Sequence, residues 1–139
     1  MPVALKVRDI MEGGVVVLDG NLPAIEALKA MLENQVWSVV ISINDVPSGV
    51  VTERDLLRRV IAKGFDINRI LLKEIMTSPL ITISSDATLA EAWKLMTEKN
   101  IRRLYVVEKG KIIGRVTQTG LFNKLLEVMI AISSIKYLM

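Results

Sequence analysis

Histidine and cysteine do not occur in this chain of 139 residues. Their absence excludes a histidine general base, a Ser-His-Asp triad, a thiol nucleophile, disulfide bonds and the usual zinc sites. Acid–base chemistry is left to Lys, Asp and Glu, and these form neither paired carboxylates nor a spacing typical of metal ligands. The sequence therefore predicts a protein that is not an enzyme and holds no metal or catalytic cofactor.

Aromatic residues are scarce, at 4%, and neither sign of charge dominates. The net charge of +3 is the small difference between 18 basic and 15 acidic residues, which are interspersed along the chain. A nucleic-acid-binding protein usually has a dense basic stripe or aromatic residues that stack on bases. The composition therefore disfavours binding to nucleic acid.

Long hydrophobic runs are also missing, although apolar residues make up 51% of the chain. The longest candidate, residues 125–139, contains Glu127 and Lys136 and is too short to span a bilayer. The opening residues, MPVALKVRD, lack the basic segment and apolar stretch of a signal peptide. We expect a cytoplasmic protein without a membrane anchor, with material for one core or two half-size units.

An internal repeat organises the sequence. Residues 7–11 (VRDIM) recur as residues 72–76 (LKEIM), a shift of 65 positions that carries Met11 onto Met76. Without any gap, the same shift matches Glu26-Ala27 to Glu91-Ala92, Gly49 to Gly114, Val51-Thr52 to Val116-Thr117 and Leu56 to Leu121. So many matches in one register indicate a duplicated unit.

Each copy follows the order strand, helix, strand, strand, helix. In the first copy, strands are predicted at 15–18, at 39–43 and, after a turn at 44–47, up to Val51. The first helix of each copy is predicted from core-facing apolar residues at helical spacing, namely Ala24, Leu28, Met31 and Leu89, Trp93, Met96. The predicted fold is α+β, with βαββα repeats over 5–64 and 70–130, related by a pseudo-twofold axis, and a helical extension over 131–139.

The repeated motifs resemble a tandem CBS domain pair, the module named after cystathionine β-synthase. The resemblance covers roughly residues 5–130 and is carried by the Asp9-Ile10-Met11 and Glu74-Ile75-Met76 openings, by residues 88–92, and by residues 49–56 with their counterparts 114–121. It implies a regulatory module that binds AMP, ADP, ATP or, less commonly, S-adenosylmethionine in the cleft between its repeats. Two such pairs commonly form a disc, so the resemblance also implies a homodimer that signals to an unknown regulated protein.

Thr52 and Asp55 are the first candidate ligand residues, because they lie where a strand ends and a helix begins. A hydroxyl and free backbone N–H groups at that point favour a phosphate, and a carboxylate accepts two hydrogen bonds from a ribose diol. The resemblance assigns the ribose to Asp55 and the phosphate to Thr52. The alternative interpretation is a capping box, in which both side chains satisfy backbone N–H groups of the helix.

The resemblance also implies which residues complete the two sites. The better site combines Thr52, Asp55 and a weaker phosphate candidate, Arg54, with Met76, Pro79, Ile81, Ile101, Arg102 and Arg103. AMP is the first choice of ligand. An arginine can reach a phosphate, although solvated surface arginines are the alternative, and strand alternation lets only one of Arg102 and Arg103 face the ligand.

A second, weaker site is expected because Asp55 corresponds to Gly120, which leaves that motif without its carboxylate. Its residues are Met11, Gly14, Val16, Val36, Trp37, Ser38 and Thr117. Trp37 replaces the arginine-like entrance of the other copy. It is a stacking candidate, but packing at a half-buried edge is the preferred interpretation.

An apolar stripe of Val128, Ile132, Ile135 and Leu138 extends the last helix and must be covered by something. Dimer packing is the first interpretation, docking onto a regulated partner the second and attachment to a membrane surface a distant third. Two other functions stay open. One is an assembly module without a small ligand, and the other is a nucleic-acid-binding regulator that uses the arginines at 54, 58, 59, 102 and 103.

Overall fold

Two three-stranded sheets organise the computed structural model, which describes residues 5–138 and the side chains of residues 5–134. In chain order the elements are α1 (Val7–Ile10), β1 (Val17–Asp19), α2 (Ile25–Asn34), β2 (Ser38–Ile43), β3 (Val46–Thr52), α3 (Glu53–Leu56), a π-helical segment (Leu57–Ile61), α4 (Leu72–Ile75), β4 (Thr82–Ser84), α5 (Leu89–Lys99), β5 (Arg103–Glu108), β6 (Lys111–Thr117) and α6 (Gln118–Leu138). The α+β class and the two βαββα repeats are thereby confirmed.

The chain divides into two compact units, each built around one sheet. The first unit is Gly14–Leu80, and the second unit consists of residues 5–13 together with 81–138. In the first unit β1 pairs parallel with β2, which pairs antiparallel with β3; β4, β5 and β6 repeat this arrangement in the second unit. In each unit, mainly β-branched and aliphatic residues of the strands form one core with apolar residues of the helices.

The hairpin of each unit closes through a two-residue turn. Asn44 and Asp45 have φ angles of 50° and 64°, and Lys109 and Gly110 have φ angles of 52° and 76°. Positive φ at both central residues is the signature of a type I′ turn, whose twist matches that of the strands. The first turn is thus shorter than the predicted 44–47, since β3 already begins at Val46.

The opening segment of each repeat pairs with the sheet of the other repeat. After α4, Thr77 exchanges two backbone hydrogen bonds with Val50 in β3, at 2.9 and 2.8 Å. After α1, Glu12 exchanges two with Arg115 in β6, at 2.8 and 2.9 Å. The compact units therefore do not coincide with the predicted repeats 5–64 and 70–130, because each unit contains the opening segment of the other repeat. The repeat boundaries remain a prediction.

Close approach of these segments requires glycine in the strand. A Cβ added to Gly49 would lie 2.7 Å from the Thr77 carbonyl oxygen, and one added to Gly114 would lie 2.9 Å from the Glu12 carbonyl oxygen. No ordinary side chain fits at such distances unless the backbone shifts. The match between Gly49 and Gly114 in the sequence therefore reflects backbone packing.

The prediction that Trp93 faces the core is wrong, since Trp93 is 45% exposed. The buried stripe of α5 is formed by Leu89, Ala92 and Met96, which places Trp93 at its edge. A small residue at position 92 lets the helix approach the sheet closely, and the bulky indole stays outside that contact.

Helix α6 has 21 residues and exposes apolar side chains along most of its length. They are Phe122, Leu125, Leu126, Met129, Ile130 and Ile132. Of the predicted tail stripe, Val128 is half-buried and Ile132 is exposed, while the side chains of Ile135 and Leu138 lie outside the described residues. Among the described helices, none combines the length and apolar character needed to cross a membrane.

Candidate functional site

Thr52 and Asp55 form a complete capping box at the start of α3, as the alternative interpretation of this motif predicts. Thr52 has an extended backbone, and its hydroxyl accepts a hydrogen bond from the Asp55 amide at 3.3 Å. In return, Asp55 Oδ2 accepts from the Thr52 amide at 2.9 Å and from the Thr52 hydroxyl at 3.2 Å. The motif is thus a structural cap in this conformation.

The second oxygen of Asp55 is also engaged. Its Oδ1 accepts a hydrogen bond from the Thr77 hydroxyl at 3.2 Å and lies 3.6 Å from Nε of Arg59. A carboxylate offers about four lone-pair positions, and here they face three donors and a guanidinium. Asp55 is only 9% exposed, so these protein groups, rather than water, stabilise the charge of its carboxylate.

Arg59 links this carboxylate to the segment that follows α4. One terminal nitrogen of the guanidinium donates to the carbonyl oxygens of Ile75, at 3.1 Å, and Met76, at 3.0 Å. Because the same side chain faces Asp55, Arg59 ties α3 to the backbone immediately before Thr77. A movement of the Asp55 carboxylate would therefore also change the contacts that hold this segment.

Sequence reasoning did not assign Arg59 or Thr77 to the site. The sequence offers Arg59 only as one of several arginines of a nucleic-acid surface, although its i, i+4 spacing from Asp55 is a usable signal. Thr77 directly follows Met76 of the repeated opening motif. Its contact with Asp55 depends on the pairing of Thr77 with Val50, and no local pattern reveals such a long-range bridge.

The other predicted residues of the better site are divided between the units. In the first unit, the thioether of Met76 lies against Gly49, whereas Arg54 and Pro79 are exposed. Ile81, Ile101, Arg102 and Arg103 belong to the second unit. Arg102 is exposed and precedes β5, whereas Arg103 is the first residue of β5 and is half-buried. The participation of these residues in a ligand site stays a prediction.

The motif of the second unit is simpler. The amide of Gly120 donates to the Thr117 hydroxyl at 3.0 Å, which caps α6 from one side only. The amide of Gln118 donates to the Arg102 carbonyl at 2.8 Å, just as the Glu53 amide donates to Trp37 at 3.2 Å in the first unit. In each unit, the residue just before the middle strand (Trp37 or Arg102) is therefore next to the start of the last helix.

The residues expected for the weaker site are likewise divided. Met11 and Thr117 lie in the second unit, and Gly14, Val16, Val36, Trp37 and Ser38 lie in the first. Val36 and Ser38 are buried, while Trp37 is 57% exposed. The backbone carbonyl of Trp37 accepts from the Glu53 amide at the start of α3. Stacking on a ligand and packing at a half-buried edge both stay predictions for its indole.

A cavity of about 820 Å³ in the first unit lies beyond Arg59. It is lined by three basic and two acidic side chains among apolar ones: Arg59, Lys63, Phe65, Asp66, Arg69, Ile70, Glu74 and Ile75. None of the ligand residues predicted from the sequence lines it. The cavity therefore does not coincide with the predicted nucleotide site.

Comparison with known proteins gives consistent matches. The family model of the CBS domain matches residues 7–62 and 72–127. An uncharacterized protein of Methanopyrus kandleri is 37% identical over 122 residues, which are 86% of this chain and 62% of that relative, so the chain spans less than two thirds of its length. The CBS domain-containing protein YhcV of Bacillus subtilis is 29% identical over 110 residues, covering 79% of this chain and 78% of YhcV.

The fold is also similar to solved structures. The crystal structure of an uncharacterized conserved protein from Pyrococcus horikoshii superimposes with a TM-score of 0.77 at 30% identity. The superposition covers 89% of this chain and 94% of that one. Most of this chain therefore has a counterpart in a solved structure of the same fold.

Proposed function

Since the chain belongs to the CBS domain family, whose members are generally regulatory and often bind ligands, we propose that it is a non-catalytic sensor of an adenine nucleotide. AMP is the first choice of ligand, ahead of ADP and ATP, with S-adenosylmethionine after them. The observation that carries the proposal is the buried carboxylate of Asp55 beside Thr52, at the position where the family motif places the ribose-binding acid. The sensor passes its state to a regulated partner protein.

Binding at Asp55 requires an exchange of hydrogen bonds. The capping bonds to Oδ2 hold α3 together, so the ribose hydroxyls replace the contacts of Oδ1 with Thr77 and Arg59. A hydroxyl for hydroxyl exchange costs little, because each lost hydrogen bond is replaced by a similar one. The exchange changes what holds the segment after α4, so the ligand favours one conformation over another, as a sensor requires.

Calorimetric titration tests this proposal with AMP, ADP, ATP and S-adenosylmethionine as probes. The wild type, Asp55→Asn and the control Glu53→Gln are compared; the control removes the same charge from an exposed side chain in the same helical turn. We expect saturable binding of one nucleotide by the wild type and by the control, and at least about tenfold weaker binding by Asp55→Asn.

Two results would contradict the proposal. If folded wild-type protein binds none of the four probes, the chain is not an adenine nucleotide sensor, and an assembly role becomes the leading one. If Asp55→Asn binds as tightly as the wild type and with the same stoichiometry, the ribose contact is not made by Asp55.

We further propose that the chain forms a homodimer. Proteins of the family often assemble into oligomers, and Leu57 and Ile61 are exposed at the positions that correspond to the exposed Phe122 and Leu126. Soluble monomers rarely expose large apolar patches, so matching apolar faces on both units favour contact with a second copy. Light scattering is expected to give a dimer mass for the wild type and a monomer mass for Ile61→Asp; a monomeric wild type would refute the proposal.

A further inference from the structure

In each unit the start of the last helix faces the segment that follows α4 or α1. The first unit carries an acid on the helix, and the second carries one on the segment. In the first unit, Asp55 on α3 receives a hydrogen bond from Thr77, at 3.2 Å. The repeat shift carries Asp55 onto Gly120 and Thr77 onto Glu12. An acid facing a hydroxyl residue thus becomes a glycine facing an acid.

The geometry of the second unit agrees with this reciprocal exchange. A Cβ added to Gly120 would lie 3.7 Å from Oε1 of Glu12 and 3.1 Å from the Thr117 hydroxyl oxygen. The carboxylate of Glu12 therefore reaches the region into which an aspartate at position 120 would project. We infer that Glu12 supplies the missing carboxylate of the second motif and binds the vicinal diol of a ribose.

Glu12 is more available to a ligand than Asp55. Its side chain is 54% exposed, against 12% for the side chain of Asp55. Its Oε2 faces a terminal nitrogen of Arg115 at 3.3 Å, and no residue in the described part of the chain donates a hydrogen bond to Oε1. A diol can therefore bind Oε1 without displacing a protein group.

The Thr117 hydroxyl, near Glu12, can donate to the same ligand. The hydroxyl of Thr117 accepts from Gly120, and its own proton has no acceptor among the described residues. In the first unit the corresponding proton of Thr52 is donated to Asp55. The Nε of Arg115 is buried without a hydrogen-bond partner in the described structure, beside the carboxylate that its terminal nitrogen contacts.

This inference rests on the proposed function, because the ligand class is the one proposed there. It differs from the sequence-based expectation, in which the second site lacks a ribose-binding acid. It predicts two ribose-binding carboxylates in the chain, Asp55 and Glu12. Ribose selectivity is the property that separates a ligand contact from a structural ion pair with Arg115.

The experiment measures binding of AMP and 2′-deoxy-AMP by calorimetry in an Asp55→Asn background, which silences the first motif. Asp55→Asn alone, Asp55→Asn with Glu12→Gln, and Asp55→Asn with Glu98→Gln are compared; Glu98 is an exposed acid on α5. We expect residual AMP binding with at least about tenfold preference over 2′-deoxy-AMP, lost with Glu12→Gln and kept with Glu98→Gln.

A rescue variant keeps the test decisive if Glu12→Gln harms folding. Glu12→Thr with Gly120→Asp, again with Asp55→Asn, moves the acid back to the helix and is expected to retain the ribose preference. The inference is overturned if Glu12→Gln leaves that preference intact, or if Asp55→Asn abolishes all the AMP binding seen in the wild type. In both cases the proposed function stands, whereas a wild type that binds no nucleotide refutes both.

Discussion

The first unit buries its motif carboxylate and surrounds it with its own donors, whereas the second unit leaves its corresponding helix start without an acid and places Glu12 opposite. The scaffold around the two motifs is the same: a glycine in the last strand, a methionine against it, and a two-bond bridge to the following residue. Duplication has thus preserved the backbone contacts, while the charged groups on them have diverged. Backbone packing and ligand chemistry are separable in this molecule.

The contact between each opening segment and its sheet is where a change has the largest expected effect. Gly49→Ala is expected to lower the free energy of unfolding by up to about 3 kcal/mol, because the new Cβ overlaps a backbone carbonyl. Gly114→Ala is expected to have a similar but smaller effect, since its nearest distances are 2.9 rather than 2.7 Å. Urea denaturation measures both variants.

The comparison would break down if either alanine variant were as stable as the wild type. Such a result would mean that the opening segments do not approach their sheets in solution. Gly13, whose added Cβ meets nothing within 4 Å, provides the matched control, and Gly13→Ala is expected to change stability little.

The starts of α3 and α6 differ in how much the side chain at the equivalent position, Asp55 or Gly120, contributes to stability. Asp55→Ala is expected to cost about 2 kcal/mol, because it removes the reciprocal half of the capping box, leaves the Thr52 amide without its acceptor and takes the carboxylate away from Nε of Arg59. Gly120→Ala removes no hydrogen bond and gains helix propensity, so a change within about 1 kcal/mol is expected. Thermal unfolding followed by circular dichroism measures the loss of stability in each variant. Equal losses would contradict the claim that only α3 depends on its acid.

Arg59 and its counterpart Lys124 sharpen the same contrast. Arg59 donates to two carbonyl oxygens at the end of α4, whereas the partner recorded for Lys124 in the described part of the chain is Glu127, one turn further along α6. Arg59→Ala is expected to cost about 1 kcal/mol, and Lys124→Ala less than about 0.5 kcal/mol, as for an exposed ion pair. Hydrogen exchange checks the location of the effect, since Arg59→Ala should speed exchange of the Thr77 amide.

Most of the fold was predictable from the sequence because the repeat doubles every local signal. The strand and helix order, the hairpins and the register of 65 all depend on patterns within a few residues of each other or on their duplication. The short helices α1 and α4 were not predicted, since runs of four residues carry too little periodicity. The last helix of the first copy was predicted, but its π-helical form over Leu57–Ile61 was not.

The candidate site was predictable only in part. Thr52 and Asp55 share a local motif, and both interpretations of that motif can be read from its spacing. Thr77 and Glu12 owe their positions to bridges with strands far away in the sequence, so spacing does not reveal them. The prediction for Trp93 was wrong because helical position alone does not tell how closely a neighbour packs against an indole.

The hairpin turns offer the smallest and most local comparison. Both central residues of each turn have positive φ, where asparagine and glycine are tolerated best. The first turn has the favourable first residue, Asn44, and the second has the favourable second residue, Gly110. Asp45→Gly and Lys109→Asn each complete the preferred Asn-Gly pair, and each is expected to raise the free energy of unfolding by about 0.5 kcal/mol. Chemical denaturation measures the gain, with Gly110→Ala as the opposite control; a loss of stability in both completed pairs would show that the turns are not of type I′.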